Sequence, residues 1–513
     1  MEGREKDYCG ANEEIHLDES VKNKMRQTLA RRKEVRSNRR LVTAVCAVAL
    51  MAILAVTGVL DGALASLGLS GTMNALAAAE YPDMPLDNWQ WRWDFREQHG
   101  VYSDELLEGM KRFAGDSAVL VLGQVTDKNL CYSPVSLYTA LAMTAEMAGG
   151  ETRQQILDVL HYDYPQGVRS GTWLDSSPRY PIDSLADDMY RYLNLTYEKE
   201  LTSTTQIANS LWLNENFLDE KDLRQTTADL LAEKYMVSSY VRDFDKKSTA
   251  EDMSDWVLQY TKGLLGGREG DFDLSGDTAM TLFSTVYYYD QWIDEFDKSR
   301  NVTDLFYKAD GTTVEAEYMR ATYNPYAVLA REGYTAAGLG TKGSSRITFI
   351  LPDEGYTPAD ILGNEEMMEE ILAIGGEPEM DYAEVRFQVP KFQFWSEMDL
   401  SEAVKQLGIT AAFSQAEADF SGLLDTETAN RVSGPSTDGQ SAPGGSGIWI
   451  SSIRQQTTMS MDEKGLEASA FTNIAYAGAA MPEDKIIEFT LNRPFIILIE
   501  NGGPLFIGVV NCP

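Results

Sequence analysis

Between Lys464 and Lys485 the chain carries no Lys or Arg, and residues 463–482 read EKGLEASAFTNIAYAGAAMP. Strand-like apolar runs flank this interval. Those after it, at 486–491, 494–499 and 504–510, are separated only by short turns and end the chain. Runs of this length and residue type between turn signals read as strands. A small-residue, uncharged segment between core strands is either a slack linker or a strand not yet in a sheet.

Helical signals come earlier. Ser133-Pro134 is a helix start, with Ser as cap and Pro in the first turn. Leu137, Leu141 and residues 143–148 continue the helix, and Gly149-Gly150 end it. Thr152 with Gln155 reads as a capping box for a second helix through Leu160. Residues 207–213 and 281–289 read as strands, and 399–407 as a helix. Residues 430–447 are a Gly, Ser and Pro-rich insertion with no chemistry of its own. Helices early and strands late make an α+β chain.

The N-terminal part is organised differently. A tail over residues 1–40 turns basic toward its end, where Arg31, Arg32, Lys33, Arg36, Arg39 and Arg40 crowd together. Residues 41–60 contain no charged side chain, enough for a membrane-crossing helix of about 20 residues. The basic flank precedes it, so the tail belongs in the cytoplasm and the remainder outside. The run is either a signal anchor or a cleaved export signal, with small-residue sites at 63–65 and 75–77. Cleavage would make the protein secreted. Residues 61–104 read as an extracytoplasmic spacer. In it Trp89, Trp91, Trp93 and Phe95, spaced two apart, would share one face of a strand, either packed on the following domain or left as a surface or ligand patch.

A net charge of −35 argues against nucleic acid as a partner, because phosphates need Lys and Arg. The three histidines, His16, His99 and His161, are scattered, so no imidazole-dependent hydrolase site suggests itself. There is no HExxH and no Gly-rich phosphate loop. Residues 271–276 begin like a calcium loop, but Leu282 stands where the bidentate Glu belongs. No catalytic residue, metal or cofactor is expected, and the chain does not read as an enzyme. Cys131 and Cys512 either pair or stay as two buried thiols.

The layout resembles the serpin family, as a membrane-anchored or exported member of bacterial type. The match opens at NLCYSPVSLYTALAMTAEMAGGETRQQIL (129–157). It recurs in order at WVLQYTKGLL (256–265), VYYYDQWIDEF (286–296), VPKF (389–392), DLSEAVKQLGITAAFS (399–414), ADFSG (418–422), MDEKGLEASAFT (461–472) and LNRPFIILIENGGPLFIGVVNCP (491–513). It spans roughly residues 105–513, the serpin-like domain. The resemblance implies three β-sheets, about eight to nine helices and an exposed reactive loop at 463–482. It implies a monomeric suicide-type inhibitor that a serine protease attacks as substrate. The cleaved loop then enters the main sheet as a strand and drags the acylated enzyme with it. A papain-type cysteine protease is a second kind of partner, since the same bait acylates a thiol.

With Gly465 as pivot, Leu466, Ala468, Ala470, Thr472, Ile474 and Tyr476 fall on one strand face. Glu467, Ser469, Phe471 and Asn473 fall on the other. The first face is mostly apolar and the second begins polar, which favours the strand over the linker. Family spacing from Glu463 puts the scissile bond at Ala479-Ala480, a small neutral bait for elastase-like enzymes. The hinge is Glu463, Gly465, Leu466, Glu467, Ala468, Ser469 and Ala470. Lys391 is expected to meet Glu463 at the loop base, with Trp292 beneath. Ser133, Ser136, Ser284 and Gln455 form the cluster that controls sheet opening. Here Gln455 replaces the family's usual His, Ser284 its usual Asn, Leu466 its usual Thr and Phe471 its usual Ala. These departures support an alternative, a non-inhibitory surface binding or adhesion protein.

Overall fold

A computed structural model describes residues 75–513, apart from 85–88, 124–126, 163–180, 201, 218–222, 262–273, 275–277, 344, 374–375, 377, 425–447 and 467–484. The basic tail, the 41–60 run, the insertion at 430–447 and the bait Ala479-Ala480 lie outside the described residues. So do the hinge residues Glu467, Ala468, Ser469 and Ala470. Among the described residues no helix is long and apolar enough to cross a membrane.

Ten α-helices are described, against the eight to nine expected. The first, α1 (Trp89–His99), replaces the strand expected from its alternating rings. The same rings also fall at helical i, i+4 spacing, and there they stack: Trp89 on Trp93 at 6.1 Å and Trp91 on Phe95 at 5.1 Å. Only Phe95 is fully buried. Next come α2 (Asp104–Leu122), capped by Ser103, and α3 (Pro134–Met147), capped by Ser133 and buried along almost its whole length. In α4 (Gly150–Val159) the cap is Gly149, and no Thr152–Gln155 capping box forms. The segment after α10 (Ser401–Leu407) takes both side chains instead. Asp419 N donates to Thr152 Oγ1, and the N–H groups of Thr410 and Ala411 donate to Gln155 Oε1. The others are α5 (Leu185–Thr196), α6 (Gln225–Tyr235), α7 (Lys247–Tyr260), α8 (Pro358–Leu362) and α9 (Glu365–Ile371).

The described strands make two hydrogen-bonded sheets, where three were expected. One has seven strands, in the order β11 (Phe392–Asp399), β12 (Ile450–Met461), β13 (Gly465–Leu466), β5 (Met280–Gln291), β3 (Ser203–Asn214) and β2 (Glu198–Lys199). The seventh, β4 (Val237–Arg242), also pairs with β3. The other runs β1 (Leu130–Tyr132), β16 (Pro504–Val510), β15 (Phe495–Glu500), β9 (Arg346–Pro352), β8 (Tyr334–Gly340), β7 (Thr313–Arg331), β10 (Asp381–Pro390) and β14 (Ile486–Thr490), with β6 (Val302–Tyr307) beside β7. Two expected sheets merge because β7 is 19 residues long and belongs to both. It pairs with β6 and β10 up to Val328, then with β8 from Leu329. Helix α3 lies against both sheets, touching β5 and β16.

Candidate functional site

The seven-stranded sheet has an unusual centre. Strands β12 and β5 run parallel and pair directly from Ile450/Met280 to Gln455/Ser284. Beyond that point no direct pairing between them is made among the described residues. At the far end β13 stands between them, antiparallel to both, with Leu466 opposite Met461 on one side and Asp290 on the other.

Local chemistry explains why the chain turns there. Asp462 closes the turn through its side chain, with Oδ1 accepting from Lys464 N (2.9 Å) and Gly465 N (3.3 Å). Gly465 then runs so close to β5 that a Cβ would lie 2.1 Å from the Asp290 carbonyl oxygen and 2.6 Å from Gln291 Cα. Only glycine permits that approach.

The turn is held from below by Trp292, which is buried. Its indole Nε1 donates to Asp462 O (3.0 Å) and its backbone N to Lys464 O (2.9 Å). Phe296 N donates to Glu463 O (2.9 Å), and the two rings meet edge to face. Lys391 Nζ reaches Glu463 Oε1 at 3.2 Å and Glu317 Oε2 at 3.0 Å. Asn301 Nδ2 donates to both of these carboxylates, at 2.6 Å and 2.7 Å. Burial works against the Lys391 charge, but its hydrogen bonds to Glu317 and Glu463 outweigh that and raise its pKa above the ordinary lysine value. Burial likewise acts to raise Glu463, yet hydrogen bonds from its own backbone, Asn301 and Lys391 hold it below the usual carboxylate range. Asn301 and Glu317 complete a four-residue clasp, and nothing in an acidic sequence singles them out.

At the other end of the gap, α3 straddles the seam. Gln455 of β12 accepts from Ser133 N (2.7 Å) and donates back to Ser133 O (3.2 Å). Ser136 Oγ donates to Ser284 Oγ of β5, which donates to Asn209 Oδ1 of β3 (2.7 Å). Asn209 is a further member that sequence reasoning missed. Thus Ser133, Ser136, Ser284 and Gln455 are brought together in one buried network across the line where β12 and β5 pair. Glutamine has both a donor and an acceptor, so it satisfies two backbone groups of one residue. Cys131 and Cys512 are both buried and are not joined in a disulfide.

A family model described as Serpin (serine protease inhibitor) matches residues 108–513. The chain belongs to the serpin family. Serpin-Z1C of Triticum aestivum is 26% identical over 393 residues, covering 75% of this chain and 90% of that protein. Plasminogen activator inhibitor 1 of Neovison vison is 27% identical over 417 residues, covering 78% and 92%. Among solved structures, the thermophilic serpin tengpin in its native state superposes with a TM-score of 0.61 at 24% identity, covering 84% of this chain and 97% of that one. Thyroxine-binding globulin in complex with thyroxine gives 0.60 at 22%, covering 80% and 100%. At such identities these two likenesses establish the fold alone. Serpins are protease inhibitors rather than enzymes, and that holds for this chain's family assignment.

Proposed function

We propose that this serpin is an extracytoplasmic suicide-type inhibitor of serine proteases, attached through residues 41–60 or secreted if they are removed. The observation that carries the proposal is β13, the start of the loop, already seated between two strands that pair directly only at their other end. Extending its register puts Ala468 opposite Met459, Ala470 opposite Thr457 and Thr472 opposite Gln455 along β12. The same extension along β5 brings Thr472 to Ser284. Gln455 and Ser284 are the last residues that pair directly, so both counts end at one place. Met459, Thr457 and Gln455 are buried, whereas Ser460, Thr458 and Gln456 are half-exposed. In an inserted strand of that register the small residues of the loop would meet the buried face, and Glu467, Ser469 and Phe471 the open one.

From Thr472 onward the entering strand has to unpair β12 from β5, beginning at Gln455 and Ser284, and displace the α3 contacts there. A protease serine attacking the Ala479 carbonyl forms an acyl ester and releases the amine of Ala480. Insertion of roughly 15 residues at about 3.3 Å each then carries the tethered enzyme on the order of 50 Å. The small side chain of Ala479, on the acyl side of the scissile bond, suits a small apolar pocket of elastase type. The same acyl chemistry extends to papain-type cysteine proteases. Incubation with an elastase-type protease should give a denaturant-resistant band of summed mass and a released fragment beginning at Ala480. If the enzyme cleaves the loop and leaves fully active, the non-inhibitory binding reading replaces this one.

A further inference from the structure

Helix α1 precedes the stretch matched by the family model, and it presents two faces of different character. Phe95 turns inward, its ring 5.6 Å from that of Tyr190 on α5. Arg92 also points to the body, donating to Tyr197 O and lying 3.6 Å from Glu198. On the outer face Trp89 and Trp93 stack on each other while 66% and 39% exposed. Trp89 is the most exposed large hydrophobic side chain among the described residues. At 100° per residue the exposed Arg96 and Glu97 fall on either side of this pair, Arg96 beside Trp89 and Glu97 beside Trp93. Two stacked, open indoles make an exposed apolar patch, and Trp is among the side chains enriched at membrane–water interfaces.

The position in the chain identifies the surface they meet. The uncharged run 41–60 ends 15 residues before Ala75, a tether of at most about 50 Å. At its far end Leu76 N donates to Ser239 O and Ala77 bridges to Ser239, so the chain is fixed to the domain there. A tether of that reach keeps the domain within contact distance of the bilayer that holds the run. The rest of the molecule is strongly acidic, and an acidic surface facing the lipid headgroups would be repelled or indifferent.

We infer that Trp89 and Trp93, flanked by Arg96 and Glu97, form a lipid-facing contact that seats the domain on the membrane at the headgroup level. The inference rests on the reading of residues 41–60 as a retained anchor. Its consequence is orientation, because an insertable loop needs one face of the domain turned toward soluble proteases.

The chain's nine tryptophans include none before Trp89, so the anchor run contributes no indole signal. The full chain is reconstituted into phosphatidylcholine vesicles with acyl chains brominated near the headgroup. Flotation and tryptophan quenching are measured for the native chain, for Trp89→Ala/Trp93→Ala and for Trp395→Ala, which removes another exposed indole on β11. The expected result is flotation of all three, quenching in the native chain and in Trp395→Ala, and loss of at least half of that quenching in the double variant. Thermal unfolding of the double variant, unchanged because both side chains are exposed, shows that it folds. Flotation with equal quenching in all three, or with none, overturns the lipid contact and leaves the anchor standing; absence of quenching would point to a protein surface instead. A chain that does not float overturns the anchor and the contact together.

Discussion

Two side chains at the hinge set the local energetics. Gly465→Ala puts a methyl group against the Asp290 carbonyl, where only a shift of the backbone makes room. A loss of about 1–3 kcal/mol, typical of overpacking, is expected in urea unfolding, with β13 expelled from the sheet and more loop cleaved per enzyme trapped. Unchanged stability and stoichiometry would remove Gly465 from the hinge. Asp290 itself is fully buried, accepting from Thr341 Oγ1 at 3.2 Å. Burial first, and the neighbouring Glu198 second, push its carboxyl up to about 10, so it is protonated at neutral pH. Because the folded value is raised, its contribution is complete below the unfolded carboxylate range near 3.9 and is lost as pH rises toward the folded value. Asp290→Asn keeps the shape and removes that penalty. It is expected to stabilise the protein by roughly 1–4 kcal/mol at pH 8 and by less at pH 5. An equal effect at both pH values would contradict a buried neutral acid.

At the scale of elements, the clasp and the seam oppose each other across the gap between β12 and β5. Lys391→Met leaves Glu317 and Glu463 facing each other without their cation. The site is partly buried, so a cost of about 1–3 kcal/mol is expected, between the values for exposed and buried pairs. Both carboxyls are depressed, so the clasp is complete above the usual value of 4.5 and weakens as pH falls below it. The raised Lys391 adds an upper limit, with its contribution lost as pH rises beyond 10.5. At the seam, Gln455→Ala strands the buried N–H of Ser133, whose carbonyl keeps the bond from Leu137 N. That should cost about 1–3 kcal/mol and speed spontaneous loop insertion, visible as loss of inhibitory activity on warming. Much of this architecture was legible in the chain. Apolar runs bounded by short turns marked the late strands almost to the residue, and Ser133-Pro134 marked the start of α3 correctly. What stayed hidden depends on partners distant in sequence. Asn301, Glu317 and Asn209 are ordinary polar residues until the fold brings them to Lys391 and Ser284. Thr152 and Gln155 matched a local cap, but remote backbone groups took them. The rings of α1 satisfied two periods at once, and only packing onto α5 chose the helix.

Across the whole molecule, the proposed insertion places one further strand between β12 and β5, continuing from β13, which already pairs with both. The long β7 carries Glu317 of the clasp and pairs onward with β8, so it ties the clasp to the C-terminal strands within one sheet. A fully inserted strand would gain ladder hydrogen bonds on both sides and bury Ala468 and Ala470 against β12. The most direct test of this account is thermal unfolding before and after proteolytic cleavage at Ala479-Ala480. Insertion predicts a rise in Tm of more than about 10 °C in the cleaved protein. A Tm that stays level or falls would show that the loop is only a linker and that β13 is where its strand ends.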